Sequence, residues 1–228
     1  MQSMIAKSRL ATPAAVLMRG AMPTPETSLP PKMVGISKSL LKGEELFAQG
    51  DDADFFYKVV SGTIRTCKLL NDGRRQIDAF HLAGDIFGLE TGDEHRFSAE
   101  AISDATVLAF RLGSLETLAE RDAGLSRQIV SSVMRSLERA QEHMLLLGRK
   151  TAQEKIATFL LDIAERVSED DHFDLPMQRS DIADHLGLTI ETVSRTLTQF
   201  ARDGVIELAA TSRSIVLRNK TALQRLNA

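Results

Sequence analysis

Gln178-Arg179-Ser180-Asp181-Ile182-Ala183-Asp184-His185-Leu186-Gly187-Leu188-Thr189-Ile190-Glu191-Thr192-Val193-Ser194-Arg195 reads as two short helices joined by a tight turn. A first helix over Arg179–Leu186 carries small Ala183 at the place where a second helix has to cross closely. Gly187, four residues later, supplies the turn, and Thr189 is an N-cap whose hydroxyl can satisfy free N–H groups of the next helix. Val193, six residues beyond Gly187, and Leu197 face inward. Ala, Gly and Val at this spacing are far more specific than any one of them, and they spell a helix-turn-helix. A generic helical hairpin accounts for the apolar positions but gives no reason for the polar face of the second helix.

On that second helix Glu191, Ser194 and Arg195 stand at i, i+3 and i+4 and project from one side. A guanidinium can take O6 and N7 of guanine, a carboxylate can accept from N4 of cytosine, and Ile190 or Ser194 can meet a thymine edge. Glu191, Ser194, Arg195 and Ile190 are therefore the candidate base readers. The bland alternative makes Glu191 and Arg195 an i, i+4 surface pair, which also holds the guanidinium for a base. After Asp203-Gly204, Val205–Leu208 and Ser214–Leu217 alternate as a short hairpin, a wing. Arg213 near its tip, with Thr189, Thr192, Arg179 and Ser180, are candidate phosphate contacts that position without specifying.

Working toward the N-terminus, Leu125–Leu147 contains neither Gly nor Pro, and Val130, Val133, Leu137, Ala140, Met144 and Leu147 alternate steps of three and four. That is a heptad seam, and it predicts a long helix pairing with a second copy of itself in parallel. The alternative is a core helix within one chain. Ile129, Met134 and Leu145 form a second stripe expected to pack on the preceding domain. Gly148 ends the helix and is a candidate hinge, and an amphipathic helix over Ala152–Arg166 follows.

Before the helix, glycines recur at Gly43, Gly50, Gly62, Gly73 and Gly84, the beat of short strands joined by tight turns. Strands are expected at Phe55–Val60, Thr63–Leu70, Ile77–Leu82, Ala99–Ile102 and Thr106–Arg111, with a hairpin turn at Asn71-Asp72-Gly73. The result is an eight-strand-like jelly roll of about 80 residues, a sensor or scaffold domain. His81 and His95 are isolated, and no nucleophile–base set or phosphate loop is present, so a catalytic role is unsupported. Asp51-Asp52-Asp54 reads as a solvated turn.

Composition sets the outer limits. The 228 residues include 28 basic and 31 acidic ones, a net charge of −3, which excludes a coat of positive charge around the whole chain. From residue 175 onward 7 basic residues face 5 acidic ones, a local excess of the sign a polyanion requires. Glu169-Asp170-Asp171-Asp174 reads as a solvated loop away from phosphates. No run approaches the roughly 18 apolar residues of a membrane span. One thiol, Cys67, permits no internal disulfide and no thiolate cage, and fits a reducing cytoplasm. Five of six prolines lie in residues 1–31, which read as a flexible leader; Lys7, Arg9 and Arg19 with no acid before Glu26 also have the look of a transit peptide.

With these residues in place, the order of roll, long helix and winged helix-turn-helix over residues 35–228 resembles the Crp/Fnr family of bacterial transcription regulators. Ala79-Phe80-His81-Leu82-Ala83-Gly84-Asp85-Ile86-Phe87-Gly88 and Glu191-Thr192-Val193-Ser194-Arg195 look like its Fnr branch. Phe56-Tyr57-Lys58-Val59-Val60-Ser61-Gly62 with Thr66-Cys67-Lys68-Leu69-Leu70 is similar to the FixK group, regulators of nitrogen fixation and microoxic respiration. The resemblance implies an α+β chain: a tail (1–34), a cyclic-nucleotide-binding-domain-like β-roll (35–123), a dimerisation helix (124–148) and a winged helix-turn-helix DNA-binding domain (149–228). It also implies a cytoplasmic homodimer, an operator of the TTGAT-N4-ATCAA type on double-stranded DNA read by Glu, Ser and Arg, and recruitment of RNA polymerase, here through loops such as Asn71–Arg75. Cyclic-AMP receptors of the family hold the nucleotide phosphate with an Arg-Ser pair. The corresponding stretch here, His95-Arg96-Phe97-Ser98, breaks that pair, so no cyclic nucleotide is expected. A single thiol excludes the four-cysteine iron–sulfur cluster of Fnr itself, and no cofactor is expected. Cys67 as a redox switch, and an effector-switched sensor of cyclic nucleotide or haem and gas, stand as the alternatives.

Overall fold

Eight short strands are laid down between the glycine turns: β1 (Ile36–Leu40), β2 (Glu45–Phe47), β3 (Phe55–Ser61), β4 (Ile64–Leu69), β5 (Arg75–His81), β6 (Ile86–Phe87), β7 (Ser98–Ala101) and β8 (Ala105–Arg111). The computed structural model describes residues 35–114, 123–167, 171–208 and 213–227; the N-terminal leader of the sequence reading, with Glu169 and Asp170, lies outside them. The strands form two four-stranded antiparallel sheets, ordered β1-β8-β3-β6 and β2-β7-β4-β5. The period-two pattern drives this: Ala105, Val107 and Ala109 of β8 turn inward with Tyr57 and Val59 of β3. Gly62 has φ +77, and a Cβ there would lie 2.6 Å from Ala105 Cα and still closer to the Asp104 carbonyl oxygen. Only glycine lets the β3–β4 turn cross the β7–β8 turn so closely.

The roll's interior is aromatic. Phe47 stacks on His95 (ring centroids 3.6 Å) and Tyr57 (5.4 Å), and Phe87 continues the stack against Tyr57 (5.5 Å) and His81 (4.5 Å).

Helix α1 (Ala123–Arg149) runs through Gly148 instead of stopping at it. Ile129, buried, packs with Phe56, Ile86 and Phe110 of the roll, and Leu146 enters the C-terminal core. Of the second stripe's three members, expected to pack on the roll, only Ile129 does so. Met134 and Leu145 are 60% and 63% exposed, because about 100° per residue places them beside Val130 and Leu137 on the outer face. The inward face is instead Ile129, Ser132, Arg139, His143 and Leu146, a polar-containing stripe that an apolar count overlooks: Ile129 and Arg139 meet the roll, whereas His143 stacks on His185 and Leu146 enters the C-terminal core.

Helix α2 (Ala152–Val167) is the centre of the second core, burying Ile156, Ala157, Phe159, Leu160, Ile163 and Ala164. Around it lie α3 (Arg179–Leu186), α4 (Ile190–Arg202) and a sheet ordered β10-β11-β9, with β9 (His172–Asp174), β10 (Ile206–Leu208) and β11 (Ser214–Leu217). The wing therefore has a third strand: Phe173 is buried opposite Ile215, so Asp174 belongs to a strand and the acidic run is not simply a solvated loop. A terminal helix, α5 (Lys220–Asn227), buries Leu223 and was not legible beforehand. Ile77, Phe80 and Ile102 of the roll join this same core, so roll and helix-turn-helix share packed side chains.

Candidate nucleic-acid interface

The reading helix is held by what lies around it. Gly187 takes φ 62, ψ 43 and closes α3 with its N–H on the Ala183 carbonyl, the left-handed C-cap that glycine adopts without penalty. Buried Lys155 donates from Nζ to the Leu186 carbonyl at 3.0 Å, putting a cation at the negative end of α3; burial pulls that ammonium's pKa below the usual lysine range. Thr189 is extended, and its Oγ1 accepts the Thr192 N–H at 3.2 Å while lying 3.0 Å from Thr192 Oγ1. The cap anticipated from sequence is thus formed, and it engages both threonine side chains.

Val193, Thr196, Leu197 and Phe200 of α4 are buried, which turns the opposite side outward. Glu191 and Arg195 are exposed, Ile190 is 44% exposed and Ser194 is half-buried between them. The structure brings the four expected base readers together on one face. No ion pair joins Glu191 to Arg195 among the described residues, so neither head group is held by the other. The same face runs on through exposed Thr198 and Arg202, two and three turns beyond Glu191. Both were missed, although their spacing of seven and eleven from Glu191 is a helical repeat. Thr198 Oγ1 is already committed, donating to the Ser194 carbonyl at 2.8 Å.

The expected phosphate contacts are more dispersed. Thr189 and Arg213 are exposed, whereas Thr192, Arg179 and Ser180 are half-buried. Arg213 precedes β11, and its carbonyl accepts the Leu175 N–H at 2.9 Å, tying the turn end of β11 to the segment that leads into α3. Across the wing Arg218 pairs with Glu207.

The expected seam of α1 lies open in the single chain. Val130, Val133, Leu137, Met144 and Leu147 are 60%, 45%, 51%, 67% and 36% exposed, with exposed Ala140 among them. Cys67 sits half-buried in β4, and burial pushes its thiol up although the Arg65 and Arg75 guanidiniums pull the other way. No group of three His, Cys, Asp or Glu among the described residues is arranged to hold a metal ion, and no described helix is long and apolar enough to cross a membrane. Arg75, in the loop segment expected to reach the polymerase, is turned inward onto Asp181 and Asp184.

Two protein families match this chain: a Crp-like helix-turn-helix domain over residues 154–226 and a cyclic nucleotide-binding domain over residues 37–122. The nitrogen fixation regulation protein FixK of Azorhizobium caulinodans is 46% identical over 210 residues, covering 89% of this chain and 84% of that protein. Its namesake from Rhizobium meliloti is 40% identical over 216 residues, covering 95% and 96%. The solved structure of FixK2 from Bradyrhizobium japonicum superposes with a TM-score of 0.80 at 47% identity, covering 86% of this chain and 98% of that one.

Proposed function

Because the chain belongs to the Crp/Fnr family of transcription regulators and is similar to its FixK members over most of its length, we propose that it binds a TTGAT-N4-ATCAA-like palindrome as a homodimer. It acts mainly as an activator of genes for microoxic respiration or nitrogen fixation. The carrying observation is the outward face of α4, where Glu191 and Arg195 are exposed on either side of half-buried Ser194, on a helix whose other side is buried. The outer stripe of α1 supports two copies, since so many large apolar side chains on one helix face call for a cover. Two α4 helices related by a two-fold then enter major grooves about 34 Å apart. The chain works in the cytoplasm, is not an enzyme, and meets RNA polymerase through exposed segments of the roll such as Asn71–Arg74.

The roll acts here as a scaffold without a bound effector. At the place where a family nucleotide phosphate would meet an Arg-Ser pair, Arg96 points outward, its side chain 73% exposed, and pairs with Glu90 at 3.0 Å. Its neighbour His95 is buried and stacks on Phe47. An Arg96 so placed supports a roll that works without a nucleotide. An effector-switched reading draws on the match to a cyclic nucleotide-binding domain, and calorimetry with cyclic AMP and cyclic GMP separates the two.

The principal test is fluorescence anisotropy on the palindrome. Arg195→Ala loses about 1–3 kcal/mol per half-site there and little on scrambled duplex. Equal weakening on both duplexes reduces Arg195 to a phosphate contact and removes the base-reading assignment.

A further inference from the structure

Helix α3, which packs against the reading helix, is gripped on the side turned away from α4. Asp181, its side chain 6% exposed, lies 2.6 Å from Arg65 Nη1 and 2.7 Å from Arg75 Nη2. One turn along, Asp184 Oδ2 accepts Arg75 Nε at 2.8 Å. Arg65 Nη2 reaches Glu100 Oε2 at 2.8 Å, so three carboxylates close around two guanidiniums. At the other end of α3 the contacts become neutral: Gln76 Nε2 donates to the His185 carbonyl at 3.3 Å, and His185 Nδ1 lies 3.1 Å from the Ile77 carbonyl oxygen. Arg65 stands on β4 and Arg75 to Ile77 on β5, so the two arms of one hairpin hold α3 along its length. Asp181 Oδ2 also accepts the Gln178 N–H at 3.2 Å, which ties the N-terminal cap of α3 into the same clamp.

Ion pairs taken out of water add little net stability, because desolvation offsets much of their attraction. Their distinctive contribution is direction: a planar guanidinium meets carboxylates in few geometries, whereas the apolar contacts of Ile77 and Phe80 in this junction tolerate sliding. Ile182, Ala183 and Leu186 of α3 share a core with Val193 and Leu197 of α4, so whatever fixes α3 against the roll fixes the reading helix too. We propose that Arg65 and Arg75 are positioning residues for DNA reading: clamped on α3, they set the angle and separation at which α4 is presented, and hence the spacer length that the dimer accepts. They act without touching the duplex. Their side chains are only 12% and 27% exposed, and both head groups are engaged by carboxylates. This inference rests on the two-half-site reading above.

The test uses the full chain and duplexes with TTGAT and ATCAA arms separated by N3, N4, N5 or N6. Asp181→Asn keeps an acceptor for the α3 cap while removing the charge; Arg75→Gln opens the more exposed side of the clamp and decides alone if Asp181→Asn does not fold. Two ratios are read by competition: affinity for N4 against the other spacers, and affinity for intact against base-substituted arms. The expected result is a loss of about tenfold in spacer preference with the arm ratio as in the parent chain, a split that general loosening of the fold does not produce. Folded variants that retain the parent's spacer preference overturn the inference while leaving the palindrome reading intact. A parent chain indifferent to spacer length overturns the palindrome reading and the inference with it.

Discussion

Leu137→Glu places a carboxylate in the middle of the outer stripe of α1, where the effect on assembly can be worked out from exposure. Leu137 is 51% exposed in the single chain, and full burial of a leucine contributes about 1.5–3 kcal/mol. Covering the remaining half adds about 1 kcal/mol per copy, or about 2 kcal/mol per dimer. In a parallel pair the two copies of a seam residue face each other in one layer. Two carboxylates about 5 Å apart repel by about 3 kcal/mol at an effective dielectric of about 20. The sum is about 5 kcal/mol, between three and four powers of ten in the dimer dissociation constant. Leu137→Ala, which loses only the apolar part, shifts that constant by about thirtyfold. Sedimentation equilibrium of both variants measures the shifts, with far-ultraviolet dichroism as a check that α1 still forms. A Leu137→Glu protein with the parent's mass at micromolar concentration refutes the seam, and a monomeric parent refutes it sooner.

Two further outcomes concern the fold itself. His81 and His185 are held neutral by desolvation in the junction, with pKa values lowered from 6.5 to about 4 and about 3, His81 facing Asp85, Arg166 and Arg139 and His185 facing His143, Arg166 and the Ile77 carbonyl. The unfolded chain binds those protons first, so stability falls as pH drops from about 6.5 toward 4, by about 1.4 kcal/mol per pH unit for each histidine. Urea midpoints at pH 7, 6 and 5 should decline, and His185→Gln should flatten the decline; an unchanged slope in that variant removes the histidine from the account. Gly62→Ala and Gly73→Ala both force a side chain into the left-handed region, at φ +77 and +82, but Gly73 is in open space whereas Gly62 abuts the Asp104–Ala105 backbone. Gly73→Ala therefore costs about 1–2 kcal/mol and Gly62→Ala distinctly more, as thermal denaturation will show; equal losses would mean that the close crossing of the two turns is not rigid.

The elements that local periodicity encodes were readable from the chain alone. The bounds of α3, the Thr189 cap, the inward Val193 and Leu197, the outward Glu191 and Arg195 and the apolar stripe of α1 all follow from a repeat of 3.6 residues or from one side chain's bond to its own turn. β9 was missed because three residues, His172 to Asp174, show no period and carry an acid that suggested solvent. α5 was missed because its eight residues bury only Leu223. Met134 and Leu145 read as facing the roll because apolarity alone does not say which neighbour a helix side will meet; histidine, serine and arginine line the side turned toward the roll and the helix-turn-helix.

What needed tertiary structure is the clamp that aims the reader. Asp181 meets Arg65 and Arg75 across 116 and 106 residues of chain, and Asp184 meets Arg75 across 109. In sequence these are ordinary polar residues on two strands and a helix, each satisfied equally well by water. A helix face is specified within a turn or two by its own spacing, so the chain by itself declared which side chains could read a base. The direction in which they are held depends on charges that become neighbours only after roll and helix-turn-helix share a core, and that choice belongs to the folded protein.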